Sequence, residues 1–267
     1  MKDITILIPF YNKEHLSMLE NTINNINSIT YSNDIYVKVI IPKDMDLPMI
    51  KGWDNNKHSF VINKGETDYC SQINCGVKDV NTNYFSIMEV DDEYNVKWFN
   101  MCNNYFDEDI SIYLPINVVN NLKTQSYEFV NHIAWSTGFT SNEDNADLAQ
   151  VDNVGYITFN SLQDTASFNL TGGIFKTSDW LGYKPSIKVA FNYEYLLRAT
   201  SKKQKIFVVP KEGYYHSIFR ENSLSEIYLN EISEKDVIKW YELAKREYSY
   251  DNDRQSNIIE NKTEILK

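Results

Sequence analysis

Cysteine, positive charge and long apolar runs are all scarce in this sequence, and each shortage removes a class of function. Three cysteines in 267 residues (Cys70, Cys75 and Cys102) are too few and too irregularly spaced for a disulfide framework or a zinc site. On one helix the five-residue separation of Cys70 and Cys75 points them in different directions, which excludes a paired metal or redox role. A reducing cytoplasm is the expected compartment. With 26 basic against 37 acidic side chains the chain carries a net charge of -11, so it repels rather than steers a polyanion, and nucleic acid is not an expected partner. The one dense basic run, Lys202, Lys203 and Lys205, fits a solvated helix end. No stretch approaches the roughly 18 to 20 apolar residues of a membrane span. The apolar opening carries Lys2 and Asp3 and lacks a small-residue cleavage site, so it reads as a first strand and not as a signal peptide. There is no internal repeat and no clear domain boundary: residues 1–250 are expected to form one domain and residues 251–267 a polar tail.

What is present is ordinary for a folded protein. Hydrophobic residues make up 42% and charged ones 24%, while the aromatic share of 14%, mostly Tyr, suits both half-wet cores and sugar-contacting surfaces. Ile4 to Ile8 is a β-branched run ended by Pro9, the pattern of a buried parallel strand. Leu16, Leu19, Ile23 and Ile26 then recur at helical spacing. Tyr36 to Ile41 and Ser59 to Asn63 predict two more strands. Asp68 to Val80 predicts a helix that Thr67 or Asp68 can cap, and Tyr84 to Met88 a fourth strand. This alternation implies a mostly parallel sheet with helices on both faces, whose ligands sit outside the carboxyl ends of the strands. The second half is less regular. Strands are expected at 109–115, 155–159, 170–176 and 206–209, and helices at 189–200 and 233–248. A surface loop is expected at 142–152, and another loop carrying Tyr214, Tyr215 and His216.

Asp91 and Asp92 follow the fourth strand directly. Adjacent carboxylates repel one another, and a hard divalent cation with oxygen ligands, Mg²⁺ or Mn²⁺, relieves that repulsion. On the acid pair alone, a solvated turn with Asp92 capping the next helix is the commoner explanation.

The context of the pair resembles glycosyltransferase family 2. Ile6-Leu7-Ile8-Pro9-Phe10-Tyr11-Asn12 is similar to that family's first strand and Pro-x-Tyr-Asn loop. Asn63-Lys64-Gly65 followed by Gln72-Ile73-Asn74-Cys75-Gly76 resembles its next helix, and Glu89-Val90-Asp91-Asp92 its Asp-x-Asp-Asp, with Glu89 in place of the first acid. Looser matches follow in order: Thr171-Gly172-Gly173 resembles the acceptor-side turn, and Asn192 to Arg198 the helix of the catalytic acids. Tyr215-His216 and Arg220 to Ser225 resemble the C-terminal loop.

The resemblance implies a GT-A fold and an inverting transfer of sugar from a nucleoside diphosphate sugar, bound through Mn²⁺ or Mg²⁺, to a glycan or other hydroxyl acceptor. Asp91 would hold the metal, with Glu89 or Asp92 supporting it and His216 as a further ligand. Pro9, Tyr11, Asn12, Asn74, Asp92 and Arg220 would line the nucleotide site. Asp44 is the candidate for the base-contacting acid, although displaced from the usual place. The family's Glu-Asp pair falls on Phe191-Asn192, and an amide accepts no proton as a carboxylate does. Glu194, about 200° further round a helix, is the remaining carboxylate there. Asn192 and Glu194 therefore mark the expected catalytic position. They also motivate the alternative, an inactive GT-A-like structural or carbohydrate-binding module, part of a viral assembly. The richness in Asn, Ile and Lys fits an AT-rich genome such as a viral one.

Overall fold

The computed structural model describes residues 2–135, 154–164, 168–185, 187, 189–218, 220 and 234–248. The expected surface loop at 142–152, the motif residues 221–225 and the tail at 251–267 lie outside these. The expected alternation is present in the first half. Strand β1 (Ile4–Pro9) leads through a single 3-10 turn (Lys13–His15) into helix α1 (Leu16–Asn27), then β2 (Ile35–Pro42) and β3 (His58–Asn63). Helix α2 (Tyr69–Lys78) and strand β4 (Tyr84–Ile87) follow. Asp68 caps α2, its side chain accepting from Ser71 N–H at 2.9 Å, as Asp does at helix starts.

Beyond β4 the chain runs through β5 (Glu93–Tyr94), α3 (Trp98–Asn103), β6 (Ile110–Asn121), β7 (Ser126–Val130) and β8 (Tyr156–Ile157). It continues through α4 (Ser161–Asp164), β9 (Ile174–Lys176), α5 (Phe191–Ser201), β10 (Lys205–Ile218) and α6 (Glu234–Tyr248). The central path of the sheet is β3-β2-β1-β4-β9-β6-β10-β5, with β7 on β6 and β8 on β10. Pairing is parallel from β3 to β4 and along the long β6–β10 ladder; β9 wedges in antiparallel between β4 and β6. This is the α/β single domain that the sequence implies, its sheet mostly parallel.

Strand alternation sorts the core onto two faces. Ile4, Ile6 and Ile8 pack with Leu19, Ile23 and Ile26 of α1 and with Trp98, Phe99 and Cys102 of α3. Leu7 points the other way, onto Ile73 and Val77 of α2, in the cluster that also holds Leu196 and Leu197 of α5. Both layers are needed because a parallel sheet is apolar on both sides. They leave the carboxyl ends of β1 and β4 side by side, paired in register from Ile4↔Tyr84 to Leu7↔Ile87.

Two expectations need correcting. The strand expected at 170–176 begins only at Ile174, after a turn at Thr171-Gly172. Tyr214, Tyr215 and His216 belong to a strand and not to a loop, because β10 continues to Ile218. Its register against β6 shifts between Val208 and Glu212 and again between Glu212 and Tyr214. Pro210 has no N–H to give the ladder, and Gly213 sits where any Cβ would overlap the Trp98 ring. The two residues make bulges, which bend a strand without ending it.

Candidate active site

The chain turns sharply after β4, and Glu89, Asp91 and Asp92 fall beside the far half of β10. Asp92 is buried to 2% exposure and fully engaged. Its Oδ2 accepts from the Tyr214 hydroxyl at 2.8 Å and from His216 Nδ1 at 2.7 Å, and its Oδ1 accepts from Ser217 N–H at 3.1 Å. The Tyr214 hydroxyl in turn accepts from Glu89 N–H at 3.0 Å, so one tyrosine ties the acidic turn to β10. Burial lowers the affinity of the His216 ring for a proton. The charge and hydrogen bond of Asp92 outweigh it, and the pKa is raised to about 10.

Gly172 makes room for this tyrosine. It adopts φ +75°, and any Cβ there would overlap the Tyr214 ring. Its neighbours fix the turn: Gly172 N–H donates to Ile87 O at 2.9 Å, and Trp98 Nε1 donates to Gly172 O at 3.0 Å.

Asp91 takes a different partner. Its Oδ2 accepts from Arg220 Nε at 2.6 Å, and both side chains are mostly buried. The guanidinium reaches further, donating from Nη1 to His15 Nε2 at 3.4 Å and lying within hydrogen-bonding reach of the Tyr11 side chain. Tyr11 and His15 meet edge to face at 5.7 Å. The loop after β1 and the turn after β4 are thus joined through one arginine. Glu89, partly buried, has its carboxyl raised to about 7, chiefly by burial, then by Asp92 and Asp91, against the opposing effect of His216 and Arg220.

A metal cation can be held here once the His216 ring gives up its second proton. Glu89, Asp92 and His216 each offer a ligand atom, all within 4.8 Å of one another, a set of two carboxylates and an imidazole that suits a divalent metal. Asp92 on Nδ1 would also fix the ring orientation of a ligating His216.

The remaining expected residues lie elsewhere or have other work. Asn12 caps the 3-10 turn, accepting from Glu14 N–H at 2.9 Å, and Pro9 closes β1 beside it. Asp44 is exposed in the turn after β2. Asn74 spends its amide on the backbone of Tyr183, donating to the carbonyl at 2.7 Å and accepting from the N–H at 2.8 Å. Asn192 Oδ1 accepts from the Tyr183 hydroxyl at 3.2 Å.

Glu194 is 1% exposed and held in an ion cluster. It accepts from Arg198 Nε at 2.9 Å and Nη2 at 3.1 Å and from the Tyr248 hydroxyl at 2.7 Å, with Lys184 Nζ at 3.1 Å. Burial acts to raise its pKa, but the bonds from Arg198, Tyr248 and Lys184 prevail and lower it. Three site residues escaped sequence reasoning. Ser217 contributes only its N–H, which no side-chain pattern reveals, and His15 and Tyr69 sit inside helix-start segments that carry no distinctive motif. The Tyr69 hydroxyl is buried with no hydrogen-bond partner among the described residues, and it feels the charges of Glu89 and Asp92.

Residues 5–162, more than half of the chain, match the Glycosyl transferase family 2 model. The chain belongs to that family. No curated protein matches it. Among solved structures, this family 2 chain is similar to S. aureus TarS 1–349 in complex with UDP-GlcNAc, with TM-score 0.59 and 12% identity over 90% of this chain and 64% of that one. It is also similar to the mannosyltransferase PcManGT from Pyrobaculum calidifontis in complex with GDP-Man and Mn²⁺. There the TM-score is 0.56 and the identity 10%, over 82% of this chain and 58% of that one. At these identities the likeness establishes the GT-A fold alone. The chain spans about three-fifths of the length of these solved relatives. No helix among the described residues is long and apolar enough to cross a membrane.

Proposed function

We propose that the protein is an inverting glycosyltransferase that takes sugar from a metal-bound nucleoside diphosphate sugar and delivers it to a hydroxyl acceptor. The observation that carries this reading is the acidic turn Glu89–Asp92. It stands at the carboxyl end of β4 next to that of β1, the place where open α/β sheets bind ligands, with Arg220 and His216 facing it. Glu89, Asp92 and His216 would hold Mn²⁺ or Mg²⁺, with Asp91 joining them. When bound, such an ion supplies charge stabilisation to the departing diphosphate. Tyr11, a partner of Arg220, would line the nucleotide site, and Arg220 can give a diphosphate two parallel N–H bonds. The solved relatives that carry UDP-GlcNAc and GDP-Man support a nucleotide sugar as donor class.

One observation favours the second reading, a donor-binding module without transfer. The acceptor hydroxyl must lose a proton, and α5 offers no free base: Asn192 is an amide, and Glu194 is locked by two cations and a tyrosine. We assign Glu194 a structural role on that ground. Thermal stability with UDP, GDP, CDP and dTDP, each with and without Mn²⁺, tests the donor site. The expected result is a metal-dependent rise in Tm for one of these nucleotides, absent in Asp91→Ala. No shift with any of the four would overturn the donor-site reading. A shift accompanied by no release of nucleoside diphosphate from the matching nucleotide sugar, across acceptors, would select the non-catalytic module.

A further inference from the structure

The shortest ion pair of the site, among the described residues, joins two residues that are both expected to serve the donor. Asp91, at the position where the family pattern puts a metal ligand, is bonded through Oδ2 to Arg220 Nε at 2.6 Å; the side chains are 14% and 17% exposed. A guanidinium cannot lose its charge, so while it stays there it neutralises the carboxylate that a metal needs. Withdrawing it costs a partly desolvated pair, and such a loss is steep unless a new counter-ion arrives. The arginine does not stand alone. His15, 6% exposed, accepts its second N–H at Nε2, and the Tyr11 side chain is a further partner. The Nδ1 atom of His15, which then carries the ring proton, is buried with no partner among the described residues. Burial and the nearby Arg220 both hold the ring below the usual imidazole pKa, so it takes the N–H bond without adding a competing charge.

We propose that Arg220 is an exchangeable counter-ion for Asp91, seated on His15 and Tyr11, whose transfer to the diphosphate frees Asp91 to join Glu89, Asp92 and His216 on a metal. The inference rests on the donor-site reading above. Its chemistry is a swap of partners with no covalent step: Asp91 passes from guanidinium to metal, and Arg220 passes from carboxylate to diphosphate oxygens. Either ligand alone leaves one charge of the pair unmatched, and both together leave none. Metal and diphosphate therefore bind cooperatively, and each weakly by itself. By reciprocity each ligand raises the affinity of the other by the same factor. His15 is a positioning residue in this scheme, keeping the freed guanidinium at the site.

Calorimetric titration reads the exchange without any assay of transfer. Mn²⁺ alone, each of UDP, GDP, CDP and dTDP alone, and metal and diphosphate each in the presence of the other are titrated into the wild-type chain, Arg220→Gln and Asp91→Asn, all three checked for an intact cooperative unfolding transition. The wild type is expected to bind Mn²⁺ at least about tenfold more tightly once the diphosphate is present. Arg220→Gln is expected to bind Mn²⁺ alone about tenfold more tightly than wild type and to lose most of the cooperativity. Asp91→Asn, with its arginine set free, is expected to bind the diphosphate in EDTA several-fold more tightly than wild type, on the order of the same coupling. If the wild type binds the two ligands cooperatively but neither variant gains affinity for its single ligand, the exchange is wrong and the donor site stands. If the wild type binds no diphosphate under any condition, the donor site and the exchange fall together.

Discussion

Three acidic residues near the expected catalytic centre have different fates, set by their partners and not by their sequence context. Asp92 is satisfied by Tyr214, His216 and a backbone N–H, Asp91 by Arg220, and Glu194 by Arg198, Lys184 and Tyr248. The adjacency of Asp91 and Asp92 after an apolar strand was legible in the sequence, and it located the acidic cluster. The burial of Glu194 was not. Its cluster is assembled from α5, from α6 and from Lys184, residues up to 64 apart in sequence, and no local pattern encodes that meeting. Helical spacing gives only Arg198, four residues on. Removing a partner from a buried ion cluster leaves charge uncompensated, so Glu194→Gln is expected to cost about 3 kcal/mol of stability by urea unfolding. Turnover per folded molecule should stay unchanged. Unaltered stability together with abolished turnover would restore Glu194 as the base.

At the scale of elements, the first four strands and first two helices were legible because each is short, regular and bounded by its own punctuation. Pro9 and Asp68 mark a strand end and a helix start where the residues themselves dictate it. β10 defeated the same logic. Its Pro210 and Gly213 signal bulges within a long strand, and its partner β6 lies about a hundred residues earlier, at separations that a local reading does not see. The consequence is functional, since the segment past the bulges carries Tyr214, His216 and Ser217 onto Asp92. The Gly172 turn completes the arrangement. Gly172→Ala would place a Cβ into the Tyr214 ring at a positive φ, and overpacking with backbone strain is expected to cost about 3 kcal/mol. Because Tyr214 also anchors Asp92 and Glu89, Mn²⁺-dependent nucleotide affinity should fall with stability. An alanine variant as stable as wild type and with full affinity would show that the tyrosine does not organise the acidic turn.

For the molecule as a whole, the parallel half brings the ends of β1 and β4 together, and the irregular half supplies what faces them. The division explains why the sequence located one side of the site and left the other open. The βαβ order implies the first side from neighbouring segments alone. The second side depends on β9 entering antiparallel between β4 and β6, so that β10 follows β6 across the sheet. A chain of net charge -11 places three of its 37 acidic side chains in the Glu89–Asp92 turn, a field that favours a cation over an anion. The account therefore stands or falls on where a metal binds. Crystals grown with Mn²⁺ and a nucleoside diphosphate, measured for anomalous scattering, give the direct answer. The predicted result is a manganese peak in direct contact with carboxylate oxygens of the Glu89–Asp92 turn, with Arg220 turned from Asp91 to the diphosphate. A manganese peak elsewhere, or a bound nucleotide with the Asp91–Arg220 pair still closed, would contradict it.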